Sequence, residues 1–254
     1  LFQNKTGIKK STEDKFKKIG ERYGIGGLWS TEIQDDLHLF KNKVILNIGC
    51  GAASEALYLG LLGGGRIIAM DITSQAASFT NNTLKKVGVE SVGIQADARH
   101  IPLQSNSIDI LYSSGVLHPS KNIQQSINQI QRVLKPVGIA YVGLYSKSSF
   151  QFLSIQLKAL FKGKFSSKEV AKFLNANTEE DWETENRKNP MTQLFSIREC
   201  KKMFHNYSQV IVRKGNFNWH LVPKFGNYLS RIPSLKKLED SKLMKYLGGG
   251  VYIK

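Results

Sequence analysis

Five short apolar runs, punctuated by glycine and separated by polar stretches, fix what the middle of this chain can become. Val44–Ile48, Arg66–Met70, Val92–Gln95, Ile108–Ser113 and Gly138–Tyr145 are each the length of one strand. Ala53–Leu62, Ser74–Val87 and Asn122–Leu134 are helix-length segments between them. Strands that are apolar almost throughout, rather than alternating, belong in a sheet covered on both faces. Crossovers of this length connect parallel strands. With Gln209–Val212 and Gly250–Ile253 as two further strands, the reading is a doubly wound, mostly parallel α/β sheet of seven strands.

The flanks follow other periods. Phe16, Ile19 and Tyr23 share one face of an amphipathic helix over Lys9–Tyr23, and Ile33, Leu37 and Phe40 share one over Thr31–Phe40. Another helix is expected over Ser196–Phe204. In Ser146–Leu194, Phe150, Leu153, Leu157 and Leu160 form a helical apolar stripe near Lys158, Lys162 and Lys164. That stripe suits a packed helix, a substrate lid or a peripheral membrane contact. The 254 residues divide into a helical cap (1–42), a core (43–145), a helical insertion (146–194) and a C-terminal part (195–254) of one domain. No apolar run reaches the roughly 18–20 residues of a membrane span, and the first residues do not read as a signal peptide, so a cytoplasmic protein is expected.

Lys and Arg outnumber Asp and Glu by 36 to 20, a formal charge of +16. Such a balance admits an anionic partner, but the lysines fall in short clusters such as Lys85-Lys86 and Lys236-Lys237 rather than in one basic block. The two cysteines, Cys50 and Cys200, support neither a disulfide framework nor a metal site, and no metal is expected.

The chemistry concentrates at the strand ends. Val44–Ile48 runs into Gly49-Cys50-Gly51-Ala52-Ala53 and then a helix, so that bare backbone can approach a ligand where a Cβ would clash. Asp71 ends the next apolar run 22 residues after Gly49, where a nucleotide-binding fold places a carboxylate for ribose hydroxyls. Thr73 or Ser74 is free to cap the following helix. The third glycine of a dinucleotide fingerprint is replaced by Ser54, which speaks against NAD.

Together these segments resemble the class I S-adenosylmethionine-dependent methyltransferases over about Lys43–Tyr145. Besides the loop and Asp71, the likeness rests on Gln95-Ala96-Asp97-Ala98-Arg99-His100-Ile101-Pro102-Leu103, on Ser107–His118, and on Arg132-Val133-Leu134-Lys135-Pro136-Val137-Gly138. It implies the Rossmann-like methyltransferase fold and S-adenosyl-L-methionine as cofactor, held by Asn47, Gly49, Cys50, Gly51, Asp71, Ile72, Asp97, Ala98 and Ser114. Asp97 and Ala98 would meet the adenine, and Ser114 the methionine part. Asn47 and Ala53 depart from the family, which usually has an acid and a glycine there. Asn47 keeps an acceptor oxygen but loses the charge, a loss on the order of 1 kcal/mol.

Methyl transfer from a sulfonium needs alignment and exclusion of water, and for an acidic nucleophile a base. His118 follows the fourth strand and is the candidate base. Tyr23, Trp29, Tyr145, Trp182 and His220 are candidates for the substrate wall. The expected activity is biosynthetic methylation of a small-molecule O, N or C nucleophile, for which the positive charge admits an anionic acceptor. Two alternatives stand beside it. An RNA methyltransferase has the positive charge in its favour but no appended RNA-binding module, and nucleic acid is not the favoured partner. An inactive cofactor-binding relative has Asn47 and Ala53 in its favour.

Overall fold

The computed structural model describes residues 36–62, 65–118, 120, 122–161, 163, 193–215 and 250–254. They form two compact units. One comprises the chain up to Ser114 together with Gln125–Val142, and the other Gly115–Gln124 together with the chain from Gly143 onward.

The first unit holds β1 (Ile45–Ile48), β2 (Ile67–Asp71), β3 (Ser91–Gln95), β4 (Ile108–Ser114) and most of β5 (Leu134–Tyr145) in the order β3-β2-β1-β4-β5. β1 pairs in parallel with both β2 and β4, with Asn47 opposite Ala69 on one side and Tyr112 on the other. β2 pairs in parallel with β3. Every residue of β1 is buried, as are the first four of β2. These strands form the parallel sheet expected of the apolar runs, in the Rossmann-like fold that the resemblance implies.

Helices α1 (Ser54–Leu62) and α2 (Ser74–Lys86) supply the cover. Thr73 caps α2, its hydroxyl accepting from the Ala76 amide at 3.4 Å, while Lys85 and Lys86 sit favourably at the negative end of the helix dipole. Ile45, Leu57, Leu59, Ile67 and Leu84 form the core with Phe40 and Tyr141, whose rings stack at 5.6 Å. Each fully buried aliphatic side chain of this kind contributes about 1.5–3 kcal/mol. The Tyr141 hydroxyl donates to Asp36, and burial first, with that carboxylate second, keeps the phenol protonated.

The packing of β3 against α2 depends on Gly93. A Cβ there would meet the Ala77 carbonyl oxygen at 2.5 Å and its carbon at 3.0 Å, and backbone cannot swing aside as a side chain can. Gly93→Ala is therefore expected to destabilise the fold by about 2–3 kcal/mol. A thermal scan should show Tm lowered by roughly 4–10 °C.

Helix α3 (Ile123–Val133) buries Ser126, Ile127, Ile130 and Val133 on one stripe. Where a turn is expected before Gly138, β5 instead starts at Leu134, directly after α3. The cause is local pairing. The carbonyls of Arg132 and Val133 accept the Asn106 and Ser107 amides, and Lys135 meets Asp109 at 2.8 Å. Gly138 lets the backbone approach the Asp109 carbonyl, which a Cβ would meet at 3.1 Å. Asp109 also accepts from the Val44 amide. Although burial works the other way, Lys135 and that amide hold its carboxyl below the ordinary range. Its role is to tie β1 and β5 to β4.

The second unit contains the end of β5, α4 (Phe150–Phe161), α5 (Ile197–Met203), β6 (Val212–Gly215) and β7 (Gly250–Ile253), with strand order β5-β7-β6. The strand expected at Gln209–Val212 lies three residues later, because antiparallel pairing aligns Val212 with Ile253 and Gly215 with Gly250. Cross-strand register outweighs the local apolar run. Helix α5 starts at a capping box in which Ser196 and Glu199 satisfy each other's backbone amides. The expected stripe of α4 does not face inward. Phe152 and Ala159 are buried, whereas Leu153, Leu157 and Leu160 are exposed.

The helix expected over Lys9–Tyr23, most of that over Thr31–Phe40 and the helical segments of 164–192 lie outside the described residues; Leu37–Phe40 is a 3-10 turn. No helix among the described residues is long and apolar enough to cross a membrane.

Candidate cofactor site

In the first unit the chain passes outward from β1 through β2 to β3, then returns to the other side of β1 as β4. Such a reversal opens a crevice beyond the carboxyl ends of the strands. Gly49–Ala53 follows β1, Asp71 and Ile72 end β2, Asp97 and Ala98 follow β3, and Ser114 ends β4. All nine cofactor candidates thus belong to one unit.

The loop is held in a conformation that most residues avoid. Gly49 and Gly51 have φ of 71° and 43°, and Ala53, where the family usually has glycine, has φ of 70°. A left-handed alanine costs about 1–2 kcal/mol. It is held there because Ala53 is fully buried, donates to the Cys50 carbonyl and accepts from the Leu57 amide in the first turn of α1. A Cβ on Gly51 would meet nothing within 4 Å among the described residues, so that glycine is required by its φ rather than by crowding.

Four side chains fasten the loop and its rim. Asp71 accepts from the Gly51 amide at 3.1 Å through one oxygen, and from the Thr73 amide and hydroxyl at 3.0 and 2.9 Å through the other. The Thr80 hydroxyl, fully buried on α2, donates to the Gly51 and Cys50 carbonyls at 3.0 and 3.4 Å. The Cys50 thiol donates to the Ala76 carbonyl, and Gln95 donates to that of Ile72. The side chain of Ile72 is 67% exposed, an apolar surface beside the Asp71 carboxylate.

Burial pushes the Cys50 thiol up to about 11 and that of Cys200 to about 12. At pH 8 roughly one Cys50 in a thousand would be thiolate. The native protein is therefore expected to resist alkylation by iodoacetamide at pH 8, with mass spectrometry showing both cysteines modified only after unfolding. Cys50 thus serves the loop as packing.

Asn47 is almost fully buried. Its amide nitrogen donates weakly to the Tyr112 carbonyl at 3.5 Å, and its side-chain oxygen has no partner among the described residues. Asp97 is engaged by the Arg99 backbone amide and guanidinium, and this bonding, first among several causes, holds its carboxyl below the ordinary range. Arg99 and Thr80 are functional candidates that the motifs did not reveal. The signal for Thr80 was a β-branched residue in a helix interior.

Two other candidates meet in the second unit. The rings of His118 and Tyr145 lie 3.9 Å apart at 33°, and Phe152 packs on Tyr145 at 5.1 Å. His118 is fully buried. Tyr23, Trp29, Trp182 and His220 lie outside the described residues. Among the described residues no group of acids, histidines or cysteines could hold a metal ion.

The family model of the methyltransferase domain matches residues 46–142, which include all nine cofactor candidates. Residues 46–142 thus carry a methyltransferase domain, similar to those of the class I S-adenosylmethionine-dependent methyltransferases. Over 138 residues the chain is 27% identical to the ubiquinone/menaquinone biosynthesis C-methyltransferase UbiE of Haemophilus ducreyi, covering 52% of each protein. Over 98 residues it is 35% identical to the mitochondrial arginine hydroxylase NDUFAF5 of Mus musculus, covering 39% of this chain and 27% of that one. The chain thus spans about a quarter to half of these relatives' length. A SAM-dependent methyltransferase from Thermotoga maritima has the same fold, with a TM-score of 0.54 at 16% identity, over 96% of this chain and 95% of that one.

The family's cofactor is S-adenosylmethionine, and the methyltransferase-domain residues fit it. The unpartnered Asn47 oxygen offers an acceptor for an ammonium group. Asp71 keeps one unused lone pair for a hydroxyl, since three of about four are occupied, and Ile72 offers an apolar face for a base.

Proposed function

We propose that this protein transfers a methyl group from S-adenosylmethionine to a small-molecule O, N or C nucleophile. The observation that carries the proposal is the Asp71–Gly51 bond beside the exposed Ile72 at the crevice of the first unit. That arrangement places a carboxylate, a glycine amide and an apolar surface together, as an adenosine requires. When bound, the cofactor supplies a methyl carbon already activated by its sulfonium.

The residues would share the remaining tasks. Asp71 accepts the ribose hydroxyls, the second hydroxyl replacing that of Thr73, which still caps α2. Ile72 packs on the adenine and Asp97 accepts from its amine, its charge preserved by Arg99. Asn47 accepts from the ammonium group, Gly49 and Gly51 give the backbone room, and Ser114 borders the methionine part. His118 takes the proton from the acceptor, and Tyr145 fixes the imidazole by stacking.

Isothermal calorimetry with S-adenosylhomocysteine tests this directly. Binding in the micromolar range is expected, and no heat at millimolar ligand would remove the proposal. The neutral Asn47 favours a second reading, a domain that binds the cofactor without turnover. Binding combined with failure to turn over across a panel of phenol, amine and carboxylate acceptors would support that reading instead.

A further inference from the structure

Thr80 has no place in the motifs, yet it is in the middle of α2, fully buried, with its hydroxyl directed out of its own helix. A threonine inside a helix commonly returns its hydroxyl to the carbonyl four residues back, and a β-branched residue there is otherwise a poor choice. Here the Ala76 carbonyl accepts from the Cys50 thiol, and the Thr80 hydroxyl crosses to Gly51 and Cys50. Gly51 is thus gripped on both sides, its amide by Asp71 at 3.1 Å and its carbonyl by Thr80 at 3.0 Å.

This grip has a geometric consequence. In a planar trans peptide the carbonyl and the following N–H point in opposite directions. With the Gly51 carbonyl drawn toward Thr80, the Ala52 N–H is turned away from α2. Ala52 is exposed, and its amide has no partner among the described residues. We propose that Thr80 is a positioning residue, which turns the Gly51–Ala52 peptide so that the Ala52 amide donates to an acceptor oxygen of the bound cofactor. The inference rests on reading Gly49–Ala53 as the cofactor loop.

The test compares Thr80→Val and Thr80→Ala, which lack the hydroxyl, with Thr80→Ser, which keeps it. By calorimetry, the S-adenosylhomocysteine dissociation constant is expected to rise about five- to tenfold in the first two and stay within twofold in the third, as loss of one oriented hydrogen bond predicts. In ligand-free protein, the Gly51 and Ala52 amide resonances are expected to move in Thr80→Val and remain in place in Thr80→Ser. If Thr80→Val does not fold, Thr80→Ala carries the comparison. Unchanged binding in the variants without the hydroxyl, unmoved amides, or equal loss in Thr80→Ser would each overturn the role of Thr80 and leave the cofactor loop standing. Failure of the unaltered protein to bind at millimolar ligand would remove the loop assignment, and the proposal with it.

Discussion

Asp71→Ala is expected to raise the dissociation constant for S-adenosylhomocysteine at least about 100-fold, a loss of about 2.7 kcal/mol. The ribose would place two hydroxyls on this carboxylate, and bonds to a charged group contribute about 1.5–3 kcal/mol each. The variant also releases the Gly51 amide, which is exposed and can turn to water, so the fold itself should change little. Thr73 loses its acceptor but keeps its bond to the Ala76 amide at the start of α2. Asp71→Asn keeps the shape and one acceptor, and roughly a tenfold loss is expected. Calorimetry measures both, with a denaturant titration as the control for stability. Binding of the alanine variant within threefold of the original would sink the ribose assignment.

The alternation of apolar runs was sufficient to place β1, β2, β3 and β4 within a residue or two, because a strand buried on both faces leaves an unbroken hydrophobic record. The start of β5 was less legible. The strand was expected only from Gly138, beyond Pro136, yet the Lys135–Asp109 pair and two backbone bonds to Arg132 and Val133 align the chain at once. β6 was displaced because its position is set by β7, about forty residues away in sequence, and not by its own apolar residues. The stripe of α4 was visible but not its orientation, since Leu153 and Phe152 are equally apolar and only tertiary placement decides which is buried.

For the site, the loop and Asp71 were legible because special φ and a strand-end acid leave residue-type signatures. Ala53 shows the limit of that rule, being a left-handed position filled by a residue with a Cβ. The Arg99 clamp on Asp97 and the Thr80 clamp on the loop were not legible. A hydrogen bond between side chain and backbone can be made by many residue types, and its partner is chosen by the fold. The pairing of His118 with Tyr145 also emerged only in three dimensions, from two candidates 27 residues apart.

That pair carries the second large effect. His118→Ala is expected to lower turnover about 10²- to 10⁴-fold, the usual share of a positioned acid or base, with any acceptor that supports release of S-adenosylhomocysteine by the unaltered protein. Cofactor affinity should stay within about twofold, because a base that takes the acceptor's proton makes no bond to the cofactor. The imidazole is fully buried against Tyr145, so its removal also leaves a cavity, with a stability cost on the order of 2–4 kcal/mol. Two controls separate that cost from lost chemistry. Tyr145→Phe keeps the stacked ring and should retain most of the turnover, while free imidazole added to His118→Ala should restore part of it by entering the cavity. Turnover that falls only in proportion to the unfolded fraction, with no response to imidazole, would show that His118 supports packing and leave the base to be sought elsewhere.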